Sequence, residues 1–329
     1  MSIDTPRFIT PPEPDPALHG SIHFSPLKSL WMSSMYLIAI IGGVLTFSAD
    51  ALLVFLVTSA IILCLGHSLG MHRRLIHNSY ECPKWLEYSF VYLGVLVGLA
   101  GPIGMMRTHD LRDWAQRQKH CHDYFAHQQP MMTDWFWQVH CDIKLKFSPE
   151  FTSEEHIRDD KMYAFMEKYW MWQQLPLAIL LGYFGGISWI VWGVCMRVAV
   201  SVTGHWLVGY FAHNQGEKHW HVEGAAVQGY NIKHIGLLTM GECWHNNHHA
   251  FPGSAKLGLH ANEVDPGWWV LRVLEKVGLV WNIKLPKYLA ERPELRVVPK
   301  QTDIAGSVPK HIGSTDSVLA SNYRSSNNG

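Results

Sequence analysis

The chain has 329 residues, 48% of them hydrophobic and only 16% charged, with a formal net charge of zero. The length suits one large domain or two small ones, and the charged fraction falls well below the roughly 25% of an average soluble domain, so apolar surface is concentrated somewhere in the molecule. A neutral balance without a basic run or an aromatic platform argues against nucleic acid as a partner.

In chain order, the first 26 residues are polar and Pro-rich (Pro11-Pro12-Glu13-Pro14-Asp15-Pro16) and lack the apolar core of a signal peptide. They read as a disordered cytoplasmic tail over 1–26. Apolar blocks follow at 30–47, 51–65, 88–106, 175–190 and 191–211. Each approaches the ~20 residues needed to cross a bilayer. Only Ser48-Ala49-Asp50 separates the first two, which predicts a transmembrane hairpin. Its turn carries no Lys or Arg, whereas Lys28 precedes it and Arg73-Arg74 follow it, so both ends belong on the cytoplasmic side. The last two blocks turn over at Gly182-Tyr183-Phe184-Gly185-Gly186, again without a cation. Block 88–106 is predicted as an interfacial or re-entrant segment, because a crossing there would put the histidines on its two sides on opposite membrane faces.

The expected fold is an all-α integral membrane protein: four transmembrane helices in two hairpins, an interfacial segment, and a cytoplasmic helical cap holding a di-metal site. The membrane domain spans 27–297, and 298–329, rich in Ser, Asn and Gly beyond 301, forms a disordered C-terminal tail. The chain is expected to be a multi-pass protein of the inner (cytoplasmic) membrane with both termini in the cytoplasm. The six cysteines (64, 82, 121, 141, 195 and 243) form no CxxC pair and read as reduced thiols.

The histidines gather at the cytoplasmic ends of these helices. His67, His72 and His77 end the second block, with His72 and His77 about one and a half helical turns apart and His67 deeper, in a supporting or packing position. The tract 109–140 carries His109, His120, His122, His127 and His140 among Asp110, Asp113 and Asp123, and one or two of the five are ordinary surface residues. His205 and His213 lie eight apart near the end of the last block, where an ionisable group is costly and marks a functional candidate. The run from 241 to 252 packs His245, His248 and His249 into five residues. Spacings of three and four put all three rings on one face of a single turn, where they converge on one or two cations. Imidazole suits zinc, copper, iron and nickel alike.

The stretch from Met71 to Tyr80, with its HxxxxH spacing, resembles the first histidine box of the membrane fatty-acid desaturases of the acyl-CoA and acyl-lipid type. The run His245-Asn246-Asn247-His248-His249-Ala250-Phe251-Pro252 resembles that family's HxxHH box, and Asp265-Pro266-Gly267-Trp268-Trp269 through Lys284-Leu285-Pro286 resembles the C-terminal part of its bacterial branch acting at carbon 9. The resemblance runs from about 26 to 286. It implies an oxygen-dependent desaturase that places a cis double bond in a saturated acyl chain, with two irons as cofactor and O2 as co-substrate. It assigns the irons to His72, His77, His109, His122, His127, His213, His245, His248 and His249. No catalytic residue beyond the metal centre and no organic cofactor site is implied.

Two departures stand out. Where the family has its middle HxxHH box, this chain has His109-Asp110-Leu111-Arg112-Asp113, so His122 and His127 are called on to supply missing imidazoles, with His120 an outside candidate, or Asp113 a carboxylate. Where the family has NxxxH, the chain has Gly209 before His213. No GxGxxG, Walker-type loop or cytochrome signature appears, so a separate electron donor of ferredoxin or cytochrome b5 type, with its reductase, is the expected partner. The remaining partners are a fatty acyl substrate and the bilayer. A membrane di-iron fatty-acid or alkyl hydroxylase is the alternative function, and a structural zinc protein a weaker one, since structural zinc takes four ligands and favours Cys.

Overall fold

The computed structural model describes residues 7–299. In chain order it contains β1 (Phe8–Ile9), β2 (Gly20–Phe24), α1 (Pro26–Leu45), α2 (Ala49–Ile76), α3 (Lys84–Val95), α4 (Pro102–Arg117), α5 (Asp123–Ala126), α6 (Met131–His140), β3 (Cys141–Leu145), β4 (Glu150–Phe151), α7 (Lys161–Lys168), α8 (Gln174–Asn214), β5 (Trp220–Val222), α9 (His245–Ala250), α10 (Pro266–Lys276) and β6 (Leu295–Val297). The protein is mostly helical, and its strands form two-stranded antiparallel pairs: β1 with β4, β2 with β3, and β5 with β6.

Among the described residues three helices are long and apolar enough to cross a membrane: α1, α2 and α8. Their outer faces carry large apolar side chains that no described residue covers, such as Val44 at 80% and Tyr183 at 84% exposure. Exposure of this kind along a whole helix suits a lipid solvent. Pro26 opens α1, where its missing N–H costs nothing, and the Ser48 hydroxyl caps α2 by accepting from the Ala51 amide. Within α8, Gly186 adopts φ +64° and ψ −156°, a conformation only glycine takes readily. A Cβ on Gly193 would lie 2.4 Å from the Leu181 side chain, although one straight helix would hold those residues about 18 Å apart.

Block 88–106 does not form a span of its own. It contributes the second half of α3, a turn, and the start of α4. α3 lies against the last turns of α2 at backbone contact: a Cβ on Gly66 would come within 2.4 Å of the Gly94 nitrogen, and one on Gly70 within 2.4 Å of the Phe90 carbonyl oxygen. Small residues four apart are what permits such an approach. α4 then carries the chain back beside α2, and Met71, Leu75, Val91, Val95, Met105 and Met106 form the buried seam between the three.

Residues 7–24, expected as disordered tail, are ordered. Phe8 packs on Trp114 and Phe151, and Ala17 is fully buried. Arg7 bridges Asp110 at 2.8 Å and Glu154 at 2.9 Å. A Pro-rich composition suppresses helix but not short strand pairing, and the segment acquires its order from the surface it covers. The remainder of that expectation, at 1–6 and 300–329, lies outside the described residues.

Candidate metal centre

Between 62 and 76 the end of α2 is wound with i→i−5 hydrogen bonds, continued by the His77 amide to the His72 carbonyl at 3.1 Å. In an α-helix residues five apart point about 140° away from each other. The wider π winding brings them close to one face, and the His72 and His77 ring centroids stand 4.8 Å apart. His109 from α4 and His248 from α9 complete a group whose donor nitrogens all lie within 4.8 Å of one another. A second group consists of His213 at the end of α8 with His245 and His249 of α9. There the His245 Nε2 is 3.1 Å from both His213 Nε2 and His249 Nε2. The spacing along α9 faces His248 to the first group and His245 and His249 to the second, and the His245 and His248 rings are 5.7 Å apart.

Partners behind the rings fix which nitrogen points inward. The Glu242 carboxylate lies 2.6 Å from His72 Nδ1 and accepts from the Ser68 hydroxyl. His213 Nδ1 donates to the Gly209 carbonyl at 2.7 Å, and Asp110 stands 3.3 Å from His109 Nδ1. The Asn246 side chain tethers α9 to its surroundings by accepting from the His219 and Trp220 amides and donating to the Trp220 and Gly229 carbonyls.

The residues have the chemistry of a metal site. His248 is 2% exposed and neither of its ring nitrogens has a hydrogen-bond partner among the described residues, and the buried His77 Nε2 is likewise unpaired there. Buried polar atoms are rarely left so, and a cation would satisfy them. Burial holds His77, His245 and His248 well below the ordinary imidazole range and His249 at about 4, so they stay neutral and able to ligate at physiological pH. For Asp113 burial opposes ionisation, but Arg117, 2.9 Å away, and His249 outweigh it and keep the carboxyl well below the usual range. His109 and His77 also favour its ionised form, but Asp113 is not among the convergent donors of either group.

Of the nine histidines singled out in the sequence, seven are thus assembled. His127 adjoins the second group but does not enter it: its ring stacks on His213 at 5.4 Å, while Asp134 takes Nδ1 at 2.9 Å and the Arg112 guanidinium meets Nε2. His122 lies apart, its Nδ1 accepting from the Tyr124 amide at the start of α5 and its ring beside Trp137. His120 meets Asp15 at the surface, and His140 meets Ser29. His67 and His205 pack edge to face at 5.0 Å just below the first group.

Arg73, Arg74 and Arg112 are engaged internally. Arg73 is buried against Asp265, Arg74 pairs with Glu87, and Arg112 holds His127 and Gln138. Trp114 and Trp244 are buried, donating to Thr10 and the Val264 carbonyl, which makes them packing residues. Sequence reasoning missed Glu242 and Asp134. The first had a visible signal, an acid three residues ahead of a ligand triplet, whereas the second had none.

No protein-family profile matches the chain. Among curated proteins, it is 34% identical over 271 residues to the sn-1 stearoyl-lipid 9-desaturase of Anabaena variabilis, covering 78% of this chain and 94% of that protein. It is 33% identical to the sn-2 palmitoyl-lipid 9-desaturase of Nostoc sp. (strain 36), over 80% of this chain and 87% of that one. The acyl-CoA C20 Δ5-desaturase of Anemone leveillei is 32% identical over 75% and 78%. With histidine groups of this kind and helices of membrane-spanning length, the chain belongs to the acyl-lipid and acyl-CoA desaturases, oxidoreductases that introduce double bonds into fatty acyl chains.

Proposed function

We propose that the protein is an oxygen-dependent desaturase acting near carbon 9 of a saturated acyl chain through two irons. The observation that carries this reading is the pair of histidine groups meeting on α9. His72, His77, His109 and His248 hold one iron. His213, His245 and His249 hold the other, with Asp113 supplying the carboxylate that replaces a missing imidazole, a donor iron accepts readily. Bound iron supplies, with O2, the oxidising power that an unactivated methylene demands and that no side chain offers. The chain's own residues keep the ligands neutral by burial, orient His72 through Glu242 and His213 through the Gly209 carbonyl, and hold α9 in register through Asn246. His122 and His127 take no iron in this scheme, and His127 with Asp134 and Trp206 braces the wall behind His213.

The membrane arrangement we infer is four crossings in two hairpins, with both described ends on the cytoplasmic side. The break at Gly186 and the Leu181–Gly193 contact support a reversal within α8. The two turns lie together, Trp189 donating to Asp50 at 2.6 Å and Ser188 to the Thr46 carbonyl at 2.6 Å. α2 and the arm 187–214 each have 28 residues, about 42 Å of helix against about 30 Å of hydrocarbon, so each reaches some 12 Å beyond the membrane. Those overhangs carry His72 and His213. Relatives that act at carbon 9 on stearoyl- and palmitoyl-lipids support a saturated acyl lipid as substrate, and a ferredoxin or cytochrome b5-type protein completes the electron path.

The test is gas chromatography of membrane fatty acids from a bacterium expressing the chain beside its His248→Ala variant. A new monounsaturated acid with its double bond at carbon 9, in the wild type alone, is expected. Hydroxylated acids would transfer the assignment to a hydroxylase, and a bond elsewhere would overturn the regiochemistry.

A further inference from the structure

Outside the seven ligating histidines, His219, His260 and Glu263 form a third convergent group, with donor atoms within 4.8 Å of one another. They come from two segments far apart in sequence. His219 precedes β5, and His260 and Glu263 lie in the loop between α9 and α10. The His219 and His260 rings meet at 4.6 Å. The group is built rather than accidental. The Glu263 carboxylate accepts from Asn247 at 2.8 Å, from Asn231 at 3.3 Å and from the His260 amide at 2.9 Å. The His219 amide is anchored on Asn246 at 2.7 Å. Two of these three asparagines, Asn246 and Asn247, lie between the histidines of α9, so the group is rigidly referenced to the metal centre without sharing a ligand with it. Glu217, which pairs with Lys233, stands 3.8 Å from His219 Nε2 at the edge of the group. His260 is exposed, which leaves the group open to solutes.

We propose that His219, His260 and Glu263 form a surface binding site for a zinc-class divalent cation, distinct from the catalytic groups. Two imidazoles and one carboxylate with an open position are a donor set zinc takes, whereas Mg2+ and Ca2+ require oxygen ligands. A bound cation clasps the segments 217–222 and 258–265 over the back of α9 and stabilises the folded protein by mass action.

The experiment uses the full chain in detergent, loaded with iron and dialysed against Zn2+, with zinc and iron counted in the same samples. Wild type should carry one more zinc per chain than His260→Ala at equal iron, His260→Asp should keep it, and millimolar Mg2+ should not displace it. Zinc should also raise the melting temperature of wild type and leave that of His260→Ala unmoved. Equal zinc in wild type and His260→Ala would overturn the site. So would loss of iron together with zinc in that variant, since it would place the zinc in the catalytic groups. Because zinc retention and melting temperature are read without turnover, failure of the desaturase assignment would leave this result standing.

Discussion

At the scale of single residues, the proposed centre rests on a few buried ring nitrogens that have no hydrogen-bond partner among the described residues. His248 belongs to the first group and is unpaired at both ring atoms among the described residues. His248→Ala is expected to abolish turnover and lower bound iron to one atom per chain or fewer, while membrane insertion, set by the apolar helices, is unchanged. Iron analysis of the membrane fraction checks it. Asp113 poses a sharper question, because the middle box has lost its adjacent imidazoles. Asp113→Ala should halve the iron content and cut activity by about 10- to 100-fold, the scale on which metal affinity or activity responds to loss of a supporting group. Full iron with full activity would remove the carboxylate from the ligand set. The buried pair Arg73–Asp265 is structural: Asp265 also caps α10 through the Trp268 amide and accepts from the Leu257 and Gly258 amides. Arg73→Ala strands that carboxylate and should cost about 3–5 kcal/mol of stability, visible as a lowered melting temperature of the purified protein.

Among elements, the contact of α2 with α3 positions the first ligand group. Gly66 and Gly70 allow backbone contact at Gly94 and Phe90, and His72 follows two residues later. A Cβ at Gly70 would force the helices apart, so Gly70→Ala should cost about 1–3 kcal/mol, the usual toll of overpacking, and weaken iron retention. Gly204→Ala is the matched control, since a Cβ there meets nothing within 4 Å. Equal melting temperatures for the two variants would show that this approach is not tight. The π winding at the end of α2 is an element-level feature with a residue-level effect: it turns a spacing of five, divergent in an α-helix, into a convergent pair.

For the whole molecule, the proposed topology separates two ends, turns on one side and metal centre on the other. Asp50→Cys should react with a membrane-impermeant maleimide in intact cells, and Lys146→Cys, on the strand side of the molecule, only after lysis. Labelling of both in intact cells, or of Lys146→Cys alone, would reject the orientation. Fractional exposure adds a physical argument for the bilayer: the uncovered faces of α1, α2 and α8 bear Leu37, Ile40, Val44, Leu53, Ile179 and Tyr183, a surface that water would not tolerate.

Much of this was legible from composition and spacing, because membrane length and helix periodicity are local properties. Apolar runs identify helices that must satisfy their own backbone in lipid, and the 245–249 spacing places three imidazoles on one turn whatever surrounds it. The grouping of the remaining ligands was not local. His109, His122 and His127 are equivalent as residue types in a polar tract, and only the packing of α4 against α2 brings His109 in, while Asp134 and Arg112 occupy His127 and α5 claims His122. Likewise nothing in a Pro-rich N-terminus announces that Arg7 and Phe8 will be buried, since their partners Asp110, Trp114 and Glu154 lie more than a hundred residues away. Composition and spacing suffice to mark the helices that seek the bilayer and the residue types able to ligate; which of them meet is settled by folding, because contacts between distant segments follow from packing and not from spacing.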